Sequence, residues 1–522
     1  EIRLCDWSSD VCSSDLLFIK NGVNEYVAFT NNPNLQFICA DESQIADIQT
    51  VAQNLNPAIV VSSYCSFTPG GHYNSVTGTA HYDLNNDGCD NTDLLANNVR
   101  FDMTDGTISS GTFLNDTGIY KLYAATGTYT LNAHLENPAF FNLTPVTTTH
   151  VFPELNSTII NQDFCLTANG VHNDAEVVLY PAGVARQGFD AQYVLLIKNK
   201  GNQTLSGNVQ LAFEDALLDF VSASTLPDNT AVNLLTWSYT DLKPFETRTI
   251  NITFNVNSPT ETQPTNSGDL IHFTATINPI TGDEISEDNV FELPQYIVNS
   301  MDPNDITCLE GPTVAASEIG KYLHYVARFE NTGNYAAENI VVKMVIDPDK
   351  YNLDSLQLLD ASHESITRIK GNIVEFIFKN IQLAPTAGDP PVGGHGTIMF
   401  KIKSAANLNA GDLVTNQADI FFDYNAPITT DPAETVFALM SSSDFTVDSS
   451  IEIYPNPTSD KVKINNDSSI KSIELYDVQG RILQTVIGDL PSSDFNISNQ
   501  QSGIYFLKIT TQKGTKIEKI VK

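Results

Sequence analysis

At 522 residues the chain is long enough for roughly three to five domains, each with its own core. Its 27 Lys and Arg against 62 Asp and Glu give a net charge of −35 with no basic cluster, which excludes a nucleic-acid binder because phosphate contact needs gathered cations. No run of about 20 apolar residues is present, which excludes a membrane-spanning helix.

Only 17% of the residues are charged, Thr, Asn, Ser, Val and Ile are prominent, and apolar residues recur at period two. The expected fold class is therefore mainly β, a series of tandem β-sandwich modules. The first residues stand apart. Cys5–Leu16 reads CDWSSDVCSSDL, which looks like one frame of a short-read sequencing adapter, and 1–16 has neither the basic n-region nor the apolar h-region of a leader. That segment is set aside, with the expectation that the natural N-terminus, and any upstream domain, is missing.

In 17–71, Leu17-Phe18-Ile19-Lys20-Asn21-Gly22 is followed one repeat later by Phe29 through Cys39, with a turn at Asn31-Asn32-Pro33-Asn34. Asp41 offers an N-cap with Gln44 three residues on, and Ile45, Ile48, Val51 and Ala52 recur at helical spacing. The stretch resembles the C-terminal end of a leucine-rich repeat solenoid. One repeat cannot bury its own apolar face, so more repeats are expected upstream.

Between 72 and 165, strands are placed at Val76–Tyr82, Val99–Met103, Gly118–Ala124, Gly127–Ala133 and Thr158–Phe164. The group resembles the prealbumin-like modules of bacterial surface proteins. Its opening loop holds Asp83-x-Asn85-x-Asp87-Gly88, with Asp90 and Asp93 behind and the Cys89 carbonyl available. Hard oxygens at alternate positions before a sharply turning Gly suit Ca²⁺ as a structural ion. The twelfth position of an EF-hand, a bidentate Glu there, is Leu94 here, so the expected site is a sandwich loop, and a plain Asn-Asn-Asp-Gly hairpin turn is the competing interpretation.

An internal repeat occupies 166–300 and 301–440. Tyr193 through Asn202 matches Tyr325 through Asn334, Leu235-Thr236-Trp237 parallels Val374-Glu375-Phe376, and Ser267-Gly268-Asp269-Leu270 parallels Ala410-Gly411-Asp412-Leu413. Each copy runs a strand into Asn-x-Gly-Asn, a turn that needs residues tolerant of positive φ. Both resemble immunoglobulin-like repeat modules of bacterial surface proteins. Asp302, Asn304, Asp305 and Asp423 form a weaker polar set with expected turn or capping roles.

A Ser-rich joint at 441–450 precedes a shift in charge. The residues from Ser441 onward hold 9 Lys and Arg against 10 Asp and Glu, so nearly all of the −35 lies upstream. In 451–522, Tyr454-Pro455-Asn456-Pro457, Asp477-Val478-Gln479-Gly480-Arg481, Gly503-Ile504-Tyr505-Phe506-Leu507 and a basic, apolar last strand follow in order. Alternation with turn residues between predicts a small all-β sandwich. The four marks resemble the C-terminal sorting domain of type IX secretion cargo in Bacteroidetes-like bacteria. The resemblance implies export across both membranes by the type IX machinery, then release or attachment to surface polysaccharide.

Export favours disulfides. Cys39 with Cys65 and Cys89 with Cys165 are candidate pairs that would leave Cys308 alone, while buried free thiols are the other possibility, since sequence does not fix connectivity. Enzyme signatures are missing: neither His-Glu-x-x-His nor Gly-x-Ser-x-Gly occurs, and Gly393-Gly394-His395-Gly396 suits a turn before a strand. The expected function is non-catalytic adhesion or ligand recognition at the cell surface or in the medium, with the three middle modules as a stalk that displays the repeats. The alternatives are the accessory region of a secreted hydrolase whose catalytic domain is missing, and a set of carbohydrate-binding modules.

Overall fold

The computed structural model describes residues 15–24, 26, 32–97, 99–115, 117–299, 302–386, 393–439, 450–476, 482–498, 500–511 and 515–522. Most of the adapter-like segment and the Ser-rich joint lie outside them. Asp15 and Leu16, set aside with that segment, do not: Leu16 opens a strand, and the Asp15 carbonyl accepts from the amides of Gln36 and Phe37. The chain forms two compact units, Glu1–Ala438 and Leu439–Lys522, and both are mainly β.

The first unit begins with three short parallel strands, Leu16–Phe18, Phe37–Cys39 and Val60–Ser62, spaced 21 and 23 residues apart by the pairs Leu16↔Phe37 and Phe37↔Val60. The helix Ile45–Leu55 covers one face of the sheet, where Ile48 and Ala52 pack on Leu35, Ile38, Ile59 and Val61. Asp41 does not cap it. The helix starts after Gln44 without a side-chain cap, and the Asp41 carboxylate instead accepts from the amides of Asn21 and Gly22 at 3.0 and 2.8 Å.

The following sandwich splits two of the expected strands. Val76–Tyr82 becomes Asn74–Gly78 and Ala80–Tyr82, and Thr158–Phe164 becomes Ile159–Asn161 and the start of Phe164–Ala168, with the halves in different sheets. The break has a local cause. At Gly78 the backbone lies against the Gln162 carbonyl, too close for a Cβ, and the Asp163 carboxylate takes the Thr79 amide at 2.9 Å.

The internal repeat is explicit in the two immunoglobulin-like modules. In the first, the strands run Ala175–Pro181, Asp190–Asn199, Thr247–Val256, Leu218–Ala223; in the second, Asp305–Cys308, Tyr322–Glu330, His395–Ser404, Tyr351–Ala361. The orders match, and so do the turns. Asn199 and Asn331 each accept from the glycine amide two residues on at 3.0 Å, and each amide group donates to two carbonyls, Gln203 and Leu242 in one copy, Tyr335 and Leu383 in the other.

A serial stalk is not what forms. The strand Ile366–Lys370 of the second copy pairs with Ser109–Phe113 of the preceding sandwich, at Ile369↔Gly111 and Lys370↔Ser110, which fuses their sheets into one of nine strands. The cores interlock too. Val326, Leu359 and Met399 join the core of the first copy, Phe113 joins that of the second, and Phe245 joins that of the earlier sandwich.

The second unit is a single five-stranded sheet, not two layers: Glu452–Tyr454, Lys461–Tyr476, Ile482–Asn496, Ile504–Thr511 and Thr515–Val521. Its long strand Lys461–Tyr476 breaks register between Asn465 and Ile470, and such bulges bend a strand enough for one sheet to wrap its own core of Val462, Ile473, Leu475, Leu507 and Ile509. Asn456, from the Pro-Asn-Pro turn, donates to the Lys519 carbonyl at 2.6 Å and accepts from the Val521 amide at 3.0 Å, clasping the last strand.

Candidate functional site

Of the six expected ligand residues, the structure gathers three. One carboxylate oxygen each from Asp83, Asp87 and Asp93 lies within 4.8 Å of the others. Asp83 is buried at the end of a strand, and its two oxygens accept from the amides of Asp87 at 3.2 Å and Gly88 at 3.0 Å, so the loop folds around it. Asn86 (φ 58°) and Gly88 (φ 102°) supply the left-handed turns. Asn85 and Asp90 also accept backbone bonds within the loop. The Asn85 side-chain oxygen accepts from the Asp87 amide at 3.0 Å, and Asp90 accepts from the amide and hydroxyl of Thr92 at 2.7 and 2.6 Å, bonds that hold its carboxyl below the usual range. Cys89 contributes a brace: its sulfur is bonded to Cys165. Three carboxylates on a bent loop are a hard-oxygen set that suits a divalent cation.

In the weaker polar set, Asp302 and Asp423 have the expected turn and capping roles, whereas Asp305 serves as an ion-pair partner. Asp302 accepts from the Asn304 amide at 2.9 Å, Asp423 accepts from the amides of Glu338 and Asn339, and Asp305 pairs with Arg328. Cys39 is bonded to Cys65, and Cys308 is a buried free thiol, so the candidate pairing is the one that forms.

Sequence reasoning missed a buried ionic junction where three modules meet. Lys401 donates to Glu136 at 2.7 Å and to Glu176 at 2.5 Å; Lys198 lies 3.5 Å from Glu136; Lys200 contacts Asp288 and lies 3.4 Å from Asp174. Glu136 belongs to the first sandwich, Lys401 to the last, and the others to the module between. Burial opposes ionisation here, yet Lys401, Lys200 and Lys198 hold Glu136 well below the carboxylate range. Burial, aided by the neighbouring carboxylates and only partly offset by Lys200, pushes Asp174 up to about 6 and Asp288 up to about 8. Asp174, Asp283 and Asp288 also converge as a trio, but the Lys200 ammonium already serves two of them.

The three parallel strands are anchored rather than free. Opposite the helix, Phe18 and Phe37 pack on Tyr424 at 5.8 and 4.8 Å between ring centroids, and Tyr64 packs edge-on to Phe421 at 4.7 Å. Tyr64 also donates to Glu375 at 2.6 Å. The sheet face that would be the exposed one in an open solenoid is covered by the last immunoglobulin-like module.

Residues 452–522 match the family described as the secretion system C-terminal sorting domain, and 302–436 match a domain of unknown function, DUF7619. The tail marks the chain as type IX secretion cargo, secreted or held at the outer cell surface. Among the described residues no helix is long and apolar enough to cross a membrane. No curated protein is significantly similar to the chain. Among solved structures it is similar to a DUF3823 family protein from Bacteroides ovatus (13% identity, 44% of this chain and 100% of that one, TM-score 0.17). It is also similar to BcpA, the major pilin subunit of Bacillus cereus (9%, 82% and 97%, 0.19), and to the collagen adhesin CNA from S. aureus (11%, 52% and 95%, 0.18). At such scores the likeness carries no weight, and the architecture rests on the strand orders above.

Proposed function

We propose that this chain is a non-catalytic recognition protein, an adhesin of the cell surface or medium, whose body presents a binding surface and whose tail delivers it through the type IX machinery. The observation that carries this is the pairing of a sorting tail with a separately folded body cross-braced by two disulfides, an ionic junction and a shared sheet. Such bracing suits a scaffold that holds a surface in place outside the cell. The three parallel strands represent the end of a leucine-rich repeat array, since their spacing lies in the repeat range of about 20–29 residues. The ligand is a surface polysaccharide or a host or environmental molecule.

Deletion of Ile451–Lys522 is expected to leave the body in the periplasm; its appearance outside would remove the delivery half of the proposal. The recognition half is tested by binding of the purified body to intact host cells and to arrayed glycans, with loss of all binding as the contrary result.

The Asp83–Asp87–Asp93 loop is proposed to hold one structural Ca²⁺. Millimolar Ca²⁺ is expected to raise the melting temperature of the body, and Asp83→Ala to abolish the increment. A melting curve that ignores Ca²⁺ in both proteins sinks the site.

A further inference from the structure

A strand at the edge of a sheet exposes unpaired amides and carbonyls, and proteins usually guard such edges with charge, proline or a bulge. Among the described residues, every other edge strand of five or more residues carries at least one charged side chain, as do Lys121, Glu176, Asp219, Glu292, Asp354 and Lys519. The strand Thr147–Phe152, at the outer end of the nine-stranded sheet, carries none. It contains no proline, and its pairing with Gly127–His134 runs from Gly127↔Phe152 to Asn132↔Thr147 without a bulge. Partial burial lowers the pKa of its one titratable residue, His150.

The uncharged stretch extends from Asn137 to Pro153 in a chain of net charge −35. Charge therefore selects the occupant. Over most of the surface a second copy would meet like charge, and at this edge it meets none. A basic partner, which the overall charge would attract, finds no carboxylate in the strand to pair with. Only another extended strand can satisfy the open backbone, and Pro145 and Pro153 limit the paired length.

We propose that Thr147–Phe152 is a self-pairing edge through which two copies of the chain join as an antiparallel dimer. A two-fold axis through Thr149, normal to the sheet, sets Thr149 against Thr149, Thr147 against Val151 and Thr148 against His150, with exposed side chains on one face and core-side ones on the other. The exposed pairs are β-branched, and Val151 is 61% exposed without a partner copy. One such edge per chain makes the contact isologous and closed.

Sedimentation velocity of the full chain over a concentration series is expected to show a monomer–dimer equilibrium. Thr149→Lys, which sets two cations at the axis, is expected to weaken it at least about tenfold, a change of roughly 1.4 kcal/mol. Thr149→Cys should cross-link two copies under mild oxidation, while Thr128→Cys, one strand further in, should not. A chain that stays monomeric at every concentration overturns the proposal, as does a dimer indifferent to T149K, equal cross-linking by both cysteine variants, or a monomer that pairs this strand only with an unrelated peptide.

Discussion

Gly111 sits where the sheets of two modules fuse, facing Ile369, and a Cβ there would collide with the Asp102 carboxylate that Arg100 holds at 3.0 Å. Gly111→Ala is therefore expected to destabilise the body by about 1–3 kcal/mol in urea unfolding. The ionic junction makes a sharper contrast between two lysines of equal burial. Lys401 is hydrogen-bonded to both Glu136 and Glu176, so Lys401→Met leaves the buried Glu176 without its bonded cation, takes from Glu136 the nearest of its three lysines, and should cost about 3–5 kcal/mol. Lys198 has no hydrogen bond to its amine among the described residues, and burial lowers its pKa, so Lys198→Met should stay within about 1 kcal/mol of the parent. Equal losses in the two variants would refute this assignment of roles.

The same elements set a pH response. Asp174 and Asp288 have raised pKa values, so between the unfolded value and about 6 or about 8 the folded chain binds protons that the unfolded chain has released. Their contribution is complete below the unfolded pKa and is lost as pH rises through those folded values. Glu136 and Glu176 work the other way, and their contribution is lost only as pH falls through the acid range. The melting temperature is therefore expected to fall from about pH 5 to about pH 9, and Asp288→Asn should flatten the upper part of that slope. Strands were legible at this scale because alternation is local: along His395–Ser404, Ile398, Phe400 and Ile402 face one core. What alternation hid was the other face. Met399 and Lys401, on the opposite face of that strand, are both buried as well, Met399 in the core of the neighbouring module and Lys401 in the ionic junction beside it. Period two separates two faces of a strand without saying whether water or another module lies on the second. The cation loop shows the same limit, since spacing alone proposed six ligands, whereas three carboxylates converge and the loop's own amides bond to Asp83, Asn85, Asp90 and Asp93 alike.

At the scale of the whole chain, the boundary between body and tail was visible as a step in charge, and the internal repeat as three matched segments. Their mutual packing was not, because it depends on single residues far apart in sequence, such as Arg328, which pairs with Asp305 and reaches the Pro181 carbonyl at 3.2 Å. With shared cores and one continuous sheet, the sandwiches of the body should melt in a single calorimetric transition, and separate transitions for 72–165 and 166–440 would contradict the shared packing.

The meeting of Glu136, Glu176 and Lys401 also has a mechanical meaning. A tether of independent beads dissipates load by opening one bead after another, each adding length. Here a tug along the chain reaches all three folded pieces together, so the body should resist almost without stretching and then give way in one rupture. A single-molecule trace with a sawtooth of three separate peaks would show that the lock is too weak to act in this way.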